Sequence, residues 1–398
     1  MGGDGAGLDR LTETGGAPAS YRPPWDRFAH WQRWPARILI LALAALALLA
    51  AIVPLSASMD GEIASVPSIV PSENDDPAQR KRDDDLAFYD RVIERIEGGE
   101  SYYDFIVEEQ RAGNYPVRPG LAVRLPTLAY IHAWVGEGGM VALAVLLLAA
   151  CVWAWYRRLG DEPGGAAYRR IGAALMFAGG SLGLNRYYFV LHELWAGMLI
   201  ALAFALHRPG RWKASLAVAA LAVAVREHAL PFVLLMGAMA AWRADWRETL
   251  AWTALILVFL LAMWWHLWII AQQVLPTDLR SPDWLVLRGL PGWLSNIVLS
   301  SNLRFLPHVV AGPLVLLMVL GWAGWRSPAG ATGTLLYLGY GLAFMLAGRA
   351  HNFYWGAVVA PAMFIGLVFV PMAARSLWRS AFPANDQVSE KSGAATRH

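Results

Sequence analysis

The chain has 398 residues, 57% of them hydrophobic and only 16% charged, with 20 Trp and a formal net charge of +3. A soluble domain carries about 25% charged residues, so a wholly water-soluble protein is excluded, and the single cysteine, Cys151 in an apolar run, excludes an intrachain disulfide. Several runs reach the length of about 20 apolar residues that crosses a hydrocarbon core, which predicts an all-α polytopic membrane protein.

Residues 1–36 are Gly-rich and aperiodic at their start and are expected to be a disordered cytoplasmic N-terminus. The first apolar run, 37–56, has too long a leader for a signal peptide and is expected to remain as an anchor. A first external loop follows at 57–137. Within it "DDLAFYDRVIERI" sets Leu86, Tyr89, Val92, Ile93 and Ile96 on one helical face, with acids at the N-terminus. That is the pattern of an amphipathic surface helix. Helix capping accounts for one of Asp83, Asp84 and Asp85 better than for all three.

Nine more spans are expected at 138–156, 171–187, 191–206, 213–226, 229–242, 249–274, 308–325, 332–347 and 354–373, about ten in all. Residues 275–307 form a second long external loop, and 374–398 a largely disordered cytoplasmic tail. Every second connection is basic: Arg22, Arg27 and Arg33; Arg157, Arg158, Arg169 and Arg170; Arg208, Arg211 and Lys213; Arg243 and Arg247; Arg326; Arg375 and Arg379. The positive-inside rule then puts both termini in the cytoplasm. The spans 213–226 and 229–242 are each about 14 residues, or about 21 Å at 1.5 Å per residue, against a core of about 30 Å. Their "REH" junction is therefore expected below the outer surface and covered by protein.

The external connections hold the unusual residues. "NRYYFVLHE" brings Arg186, His192 and Glu193; "REH" brings Arg226, Glu227 and His228; "GRAHNFYWG" brings Arg349, His351, Tyr354 and Trp355; "GGESYYD" brings Tyr102 and Tyr103. Any one arginine could simply reach for lipid headgroups, and most of the Trp suit an interfacial belt. Acids, arginines and histidines on five external connections point instead to a site on the outer face. There is no P-loop, HExxH or CxxC, so nucleotide, metal-hydrolase and thiol-redox chemistry have no motif here. Transfer of a sugar from a lipid phosphate needs little: a carboxylate to take the acceptor proton and cations to receive charge on the departing phosphate.

The chain resembles the GT-C superfamily of integral-membrane glycosyltransferases, in particular the bacterial branch of polyprenol-phosphate-mannose-dependent mannosyltransferase-like proteins. The segments that carry the likeness are "DDDLAFYDRVIERIEGGESYYD", "LHELWAGMLIALAFAL", "VREHALPFVLL" and "GRAHNFYWGAVVAP", in that order over about 37–373. The resemblance implies a GT-C-like transmembrane domain over 37–373 in a bacterial inner membrane, with its active site facing the periplasm or exterior. It implies a polyprenyl-phosphate sugar donor, with mannose as the family's sugar, and an acceptor that is a lipid-linked glycan, a lipid or a protein, with membrane lipid and no nucleic acid as the other partner. Asp85, or its neighbour Asp84, falls on the family's catalytic base. Arg226, Arg349, His351 and Arg186 become candidates for the donor phosphate. Glu227, His192, Glu193, Tyr102, Tyr103, Tyr354 and Trp355 become candidates for acceptor binding or orientation. No cofactor is required and no metal ligand is assigned, although adjacent aspartates could hold Mg or Mn as some members do. The rival readings are a non-catalytic scaffold that binds lipid-linked sugar and a polyprenyl-lipid transporter or flippase.

Overall fold

A computed structural model describes residues 23–55 and 83–383. Among them the secondary structure is helical, with isolated bridges and no strand. Fourteen α-helices are α1 Arg33–Ile52, α2 Asp84–Glu97, α3 Tyr102–Ala112, α4 Thr127–Asp161, α5 Arg169–Gly180, α6 His192–Leu206, α7 Lys213–Val225, α8 Leu230–Trp242, α9 Trp246–Gln273, α10 Gly289–Leu299, α11 His308–Gly324, α12 Pro328–Leu346, α13 Ala360–Met363 and α14 Val370–Ala381. Among the described residues five helical stretches are long and apolar enough to cross a membrane: Arg33–Ile52, Gly120–Asp161, Trp246–Gln273, Pro328–Leu346 and Ala360–Ala381. Shorter apolar helices run over His192–Leu206, Lys213–Val225, Glu227–Trp242 and His308–Gly324. The chain is thus an all-helical protein of membrane-embedded character.

Helix α6 is the axis of the fold. It is apolar all round after its first two residues and buried along almost its whole length, as expected of an interior helix. It packs on α4, α7 and the 3-10 segment Ala350–Val358. Gly197 makes the last contact possible, because a Cβ there would collide with the carbonyl oxygen of Ala357. Beneath lies an aromatic core in which Trp155 meets Phe204 at 5.0 Å and Trp322 at 5.7 Å. Helices α2 and α3 form a separate cap. Leu86, Phe88, Val92, Ile93 and Ile96 of α2 and Tyr102, Phe105, Ile106 and Val107 of α3 close a second small core with Ile270 of α9.

The helix ends gather into two polar groups. At one, Arg158 pairs with Glu162 at 3.0 Å, His207 and Arg243 both meet Glu248 at 2.8 Å, and Trp325 donates to the Pro163 carbonyl at 2.8 Å. These are the basic connections of the sequence. At the other lie the motifs expected on the outer side, described below. Exposed Trp residues flank both: Trp34, Trp242, Trp246 and Trp378 near the first, Trp134, Trp264, Trp265 and Trp268 near the second. Such paired belts fit a bilayer between them.

Several expectations need correction. The segment 23–36 is not disordered: Phe28 is buried, Arg27 N–H donates to the Gly324 carbonyl at 2.9 Å, and Ser376 donates to Asp26 at 2.8 Å. For the same reason 374–381 is not a disordered tail. It continues α14, with Leu377 and Ala381 buried against α1 and the chain around Phe28. Residues 1–22, 56–82 and 384–398 lie outside the described residues. The loop 275–307 contains α10, which buries Gly292 to Val298; Gly289, Pro291 and Gly292 disguised it, but buried apolar packing outweighs low propensity. The segment expected as span 138–156 begins earlier, in α4, whose helix is interrupted at Gly136 with φ 67°. That expected at 171–187 ends as a helix at Gly180 and continues as 3-10 turns, while 354–373 is mostly 3-10 before α14.

Candidate functional site

The predicted junction at "REH" is where the site begins. Arg226 ends α7 in an extended conformation (φ −151°, ψ 121°) and Glu227–Ala229 forms one 3-10 turn before α8. The junction is covered, as two short helices required: Arg226 is 1% exposed. Its Nη2 lies 2.8 Å from Glu193 of α6 and its Nη1 2.7 Å from Glu227. Arg124, in the stretch before α4, stands 3.7 Å from the same Glu193 oxygen. Two guanidiniums and two carboxylates thus form a charge-balanced group. Such balance is what a buried location demands, since an unpaired buried charge is very costly.

Aromatic side chains enclose it. Arg124 donates to the Tyr89 hydroxyl at 3.0 Å and approaches the Tyr354 hydroxyl at 3.4 Å. Tyr354 also accepts from Asn352 at 3.3 Å, whose Oδ1 in turn accepts from the Arg349 N–H at 3.1 Å. His192 is buried against Tyr89, with ring centres 5.2 Å apart. His228 faces Trp355 at 4.5 Å, and its carbonyl accepts from Tyr340 at 2.6 Å. Burial raises the Tyr89 hydroxyl above its ordinary range despite Arg124 beside it, so Tyr89 is a neutral phenol at pH 7.

The acid cluster stands one helical turn from this group. Asp83 is the N-cap of α2, its Oδ1 accepting from the Asp85 N–H at 3.0 Å. Asp84 and Asp85 are exposed in the first turn, and Asp85 lies four residues before Tyr89, hence on the same face. Tyr115 lies beside the Asp85 carboxylate; burial first, and then this carboxylate, push its hydroxyl upward. Asp85 also lies within electrostatic reach of His351, beside which stand Arg349 and Arg288. Burial and the Arg349 charge hold His351 below the usual imidazole range, so it is neutral at pH 7.

Arg288 and Arg349 are brought together by a short clamp. Arg288 N–H donates to the Met345 carbonyl at 2.8 Å, Gly348 N–H donates to the Trp284 carbonyl at 2.7 Å, and Leu285 bridges Ala347. Gly348, at φ 91°, makes the turn that precedes Arg349. Arg288 donates to Asn296 at 3.0 Å, Arg349 Nε is buried without an acceptor, and neither makes an ion pair among the described residues. The guanidiniums without a carboxylate partner are therefore here, beside His351, and not at Arg226.

Of the other candidates, Arg186 is elsewhere. It is exposed and meets Glu137 at 3.4 Å, in a cleft along the opposite side of α2 with Asp90 and His132. Tyr102 is a core residue whose hydroxyl donates to the Arg124 carbonyl at 2.6 Å, so it positions Arg124. Tyr103 bonds His266 at 3.1 Å and ties α3 to α9. Among the described residues no three His, Cys, Asp or Glu side chains are grouped to hold a metal ion. Arg124, Tyr89, Tyr115, Arg288 and Asn352 were not marked as site residues by the sequence. Arg124 had one signal, an arginine directly before a span in "AVRLPTLAY"; Arg288 had none beyond its place in a long loop. No family model, curated protein or solved structure matches the chain.

Proposed function

We propose that the chain is an integral-membrane glycosyltransferase of the GT-C kind, moving a sugar from a polyprenyl-phosphate donor to an acceptor hydroxyl on the outer face of a bacterial inner membrane. In this reading ten spans cross the bilayer, both termini are cytoplasmic, and mannose is the sugar the family resemblance suggests. The observation that carries the reading is that His351 lies within electrostatic reach of the exposed Asp85 and beside Arg349 and Arg288, two guanidiniums that make no ion pair among the described residues.

The chemistry follows from that arrangement. Asp85 takes the proton of the acceptor hydroxyl as its oxygen attacks the anomeric carbon. The bond from that carbon to the phosphate oxygen breaks, and its electron pair leaves with the polyprenyl phosphate. Arg349 and Arg288 receive the added negative charge. A single displacement inverts the anomeric centre and needs one base. The Arg124–Glu193–Arg226–Glu227 group below is assigned the floor, holding Tyr89 and Tyr354 in place rather than binding phosphate itself.

The test is sugar transfer in proteoliposomes, with polyprenyl-phosphate mannose as donor and an extracted envelope glycolipid fraction as acceptor. Transfer by the wild type and about 100-fold less by Asp85→Asn, with donor binding retained, is the expected result. Transfer at the wild-type rate by Asp85→Asn would sink the assignment of the base. Binding of donor without transfer by any preparation would favour the scaffold.

A further inference from the structure

Beside the site, the loop 275–288 and the segment 111–120 are stitched into one rigid surface. Arg111 grips Asp278 through both guanidinium ends, at 2.7 and 2.9 Å. The N–H groups of Val117 and Arg118 both reach the Leu279 carbonyl at 3.2 Å, and Ser281 N–H returns a bond to the Arg118 carbonyl at 2.6 Å. The result is a parallel bridge between Arg118 and Arg280. Two arginines thereby stand as lateral neighbours, an arrangement that is destabilising for like charges unless something negative lies between them. Arg118 spends one nitrogen on the Pro276 carbonyl at 2.9 Å, and neither arginine makes an ion pair among the described residues.

The two line a cleft of about 420 Å³ together with Ser281, Asp283 and Trp284. Trp284 offers a partly exposed indole, Ser281 a polar group, and the two arginines a positive charge that the single Asp283 carboxylate of the lining offsets only in part. An aromatic plate flanked by charged arms is the chemistry that holds a pyranose ring on its C–H face while reading its substituents. The position is also informative. Trp284 stands four residues before Arg288, so the two Cα atoms are at most about 14 Å apart, and the clamp on Ala347 and Gly348 holds that spacing.

We infer that this cleft binds a saccharide bearing a negative charge, its ring against Trp284 and its anionic group between Arg118 and Arg280. It serves as the subsite for the inner units of an acidic glycan acceptor whose terminal hydroxyl reaches Asp85. The acceptor role rests on the glycosyl-transfer reading; the saccharide binding does not.

The experiment reads binding, not turnover. Purified full-length protein is titrated calorimetrically with a glucuronate-containing tetrasaccharide, an uncharged tetrasaccharide of the same length, and inorganic phosphate. The acidic tetrasaccharide should bind at least about 10-fold more tightly than either of the others. Arg280→Gln and Trp284→Ala should each weaken it by about 10-fold or more, and Trp284→Phe should keep part of the affinity. Equal affinity for charged and uncharged tetrasaccharides, or unchanged affinity in Trp284→Ala, would overturn the inference. So would phosphate binding as well as the saccharide, which would make this an anion site without sugar recognition. Acidic-saccharide binding in a protein whose Asp85→Asn variant transfers normally would leave the cleft standing and remove the assigned base.

Discussion

At the scale of single residues, the two arginine environments separate structure from chemistry. Arg226 is buried between Glu193 and Glu227, so Arg226→Ala leaves Glu227 unpaired and Glu193 with only the longer contact to Arg124. Breaking such a pair costs about 3–5 kcal/mol, and thermal unfolding of the variant should show that loss before any assay is run. Arg349 carries no such burden. Arg349→Ala should unfold like the wild type, yet bind polyprenyl phosphate more weakly by about 1.5–3 kcal/mol, roughly 10- to 150-fold. The opposite pattern, a stable Arg226→Ala that loses phosphate affinity and an indifferent Arg349→Ala, would return the phosphate to Arg226. In the aspartate run, Asp83→Ala should cost about 1 kcal/mol of helix stability and little activity, because Asp83 is the N-cap. Asp84→Asn controls for register: if it alone stops transfer, the base is one residue earlier than Asp85.

At the scale of elements, two contacts hold the site's walls. Gly197 lets the 350–358 segment lie directly on α6, one turn from Glu193. Gly197→Val has no room beside the Ala357 carbonyl and should push Tyr354 and Trp355 away from Arg124 and His228. Overpacking of this kind costs about 1–3 kcal/mol, and transfer should fall further than stability alone explains, which parallel melting and activity measurements would show. The second contact is Arg111 with Asp278. The guanidinium holds Asp278 down to about 2. Since the folded-state value lies below the ordinary one, the bridge's contribution is whole above about pH 4 and is lost as pH falls through about 2. The protection of residues 275–287 against hydrogen exchange should therefore be constant around neutral pH, where the bridge is whole, and fall in the wild type on acidification. In Asp278→Asn the loop should exchange faster already at pH 7, and the part of the acid response due to the bridge should be gone.

For the whole molecule, the two polar ends define the proposed topology. Cysteines introduced at exposed Ser101 and Asp283, at the end with the site, should react in intact cells with a membrane-impermeant thiol reagent. Cysteines at exposed Ala166 and Arg211, at the basic end, should react only after permeabilisation. The native Cys151 is buried and gives no background. Labelling in the reverse sense would turn the protein over and put Asp85 in the cytoplasm, where polyprenyl-phosphate chemistry on the outer face is excluded.

What the sequence by itself determined was local and periodic. Apolar runs specified α1, α6, α7, α8, α9, α11 and α12 to within a few residues, because their burial in lipid or protein depends on composition within one helix length. The start of α2 was legible, since an N-cap acts over three residues, and so was the burial of the "REH" junction, since two helices too short for the core force it inward. The tertiary structure decided what depends on distant partners. Arg124 meets Tyr354 across 230 positions, and Arg288 reaches Arg349 only through a clamp between two loops. No spacing within the chain announces either meeting. The same physics explains the reassignment of charge. From sequence Arg226 looked like a spare cation, because the neighbouring acid in view was Glu227 alone. Folding brings Glu193 from another helix to its other nitrogen, and the low-dielectric interior makes that pairing obligatory, leaving Arg288 and Arg349 as the cations without a carboxylate partner.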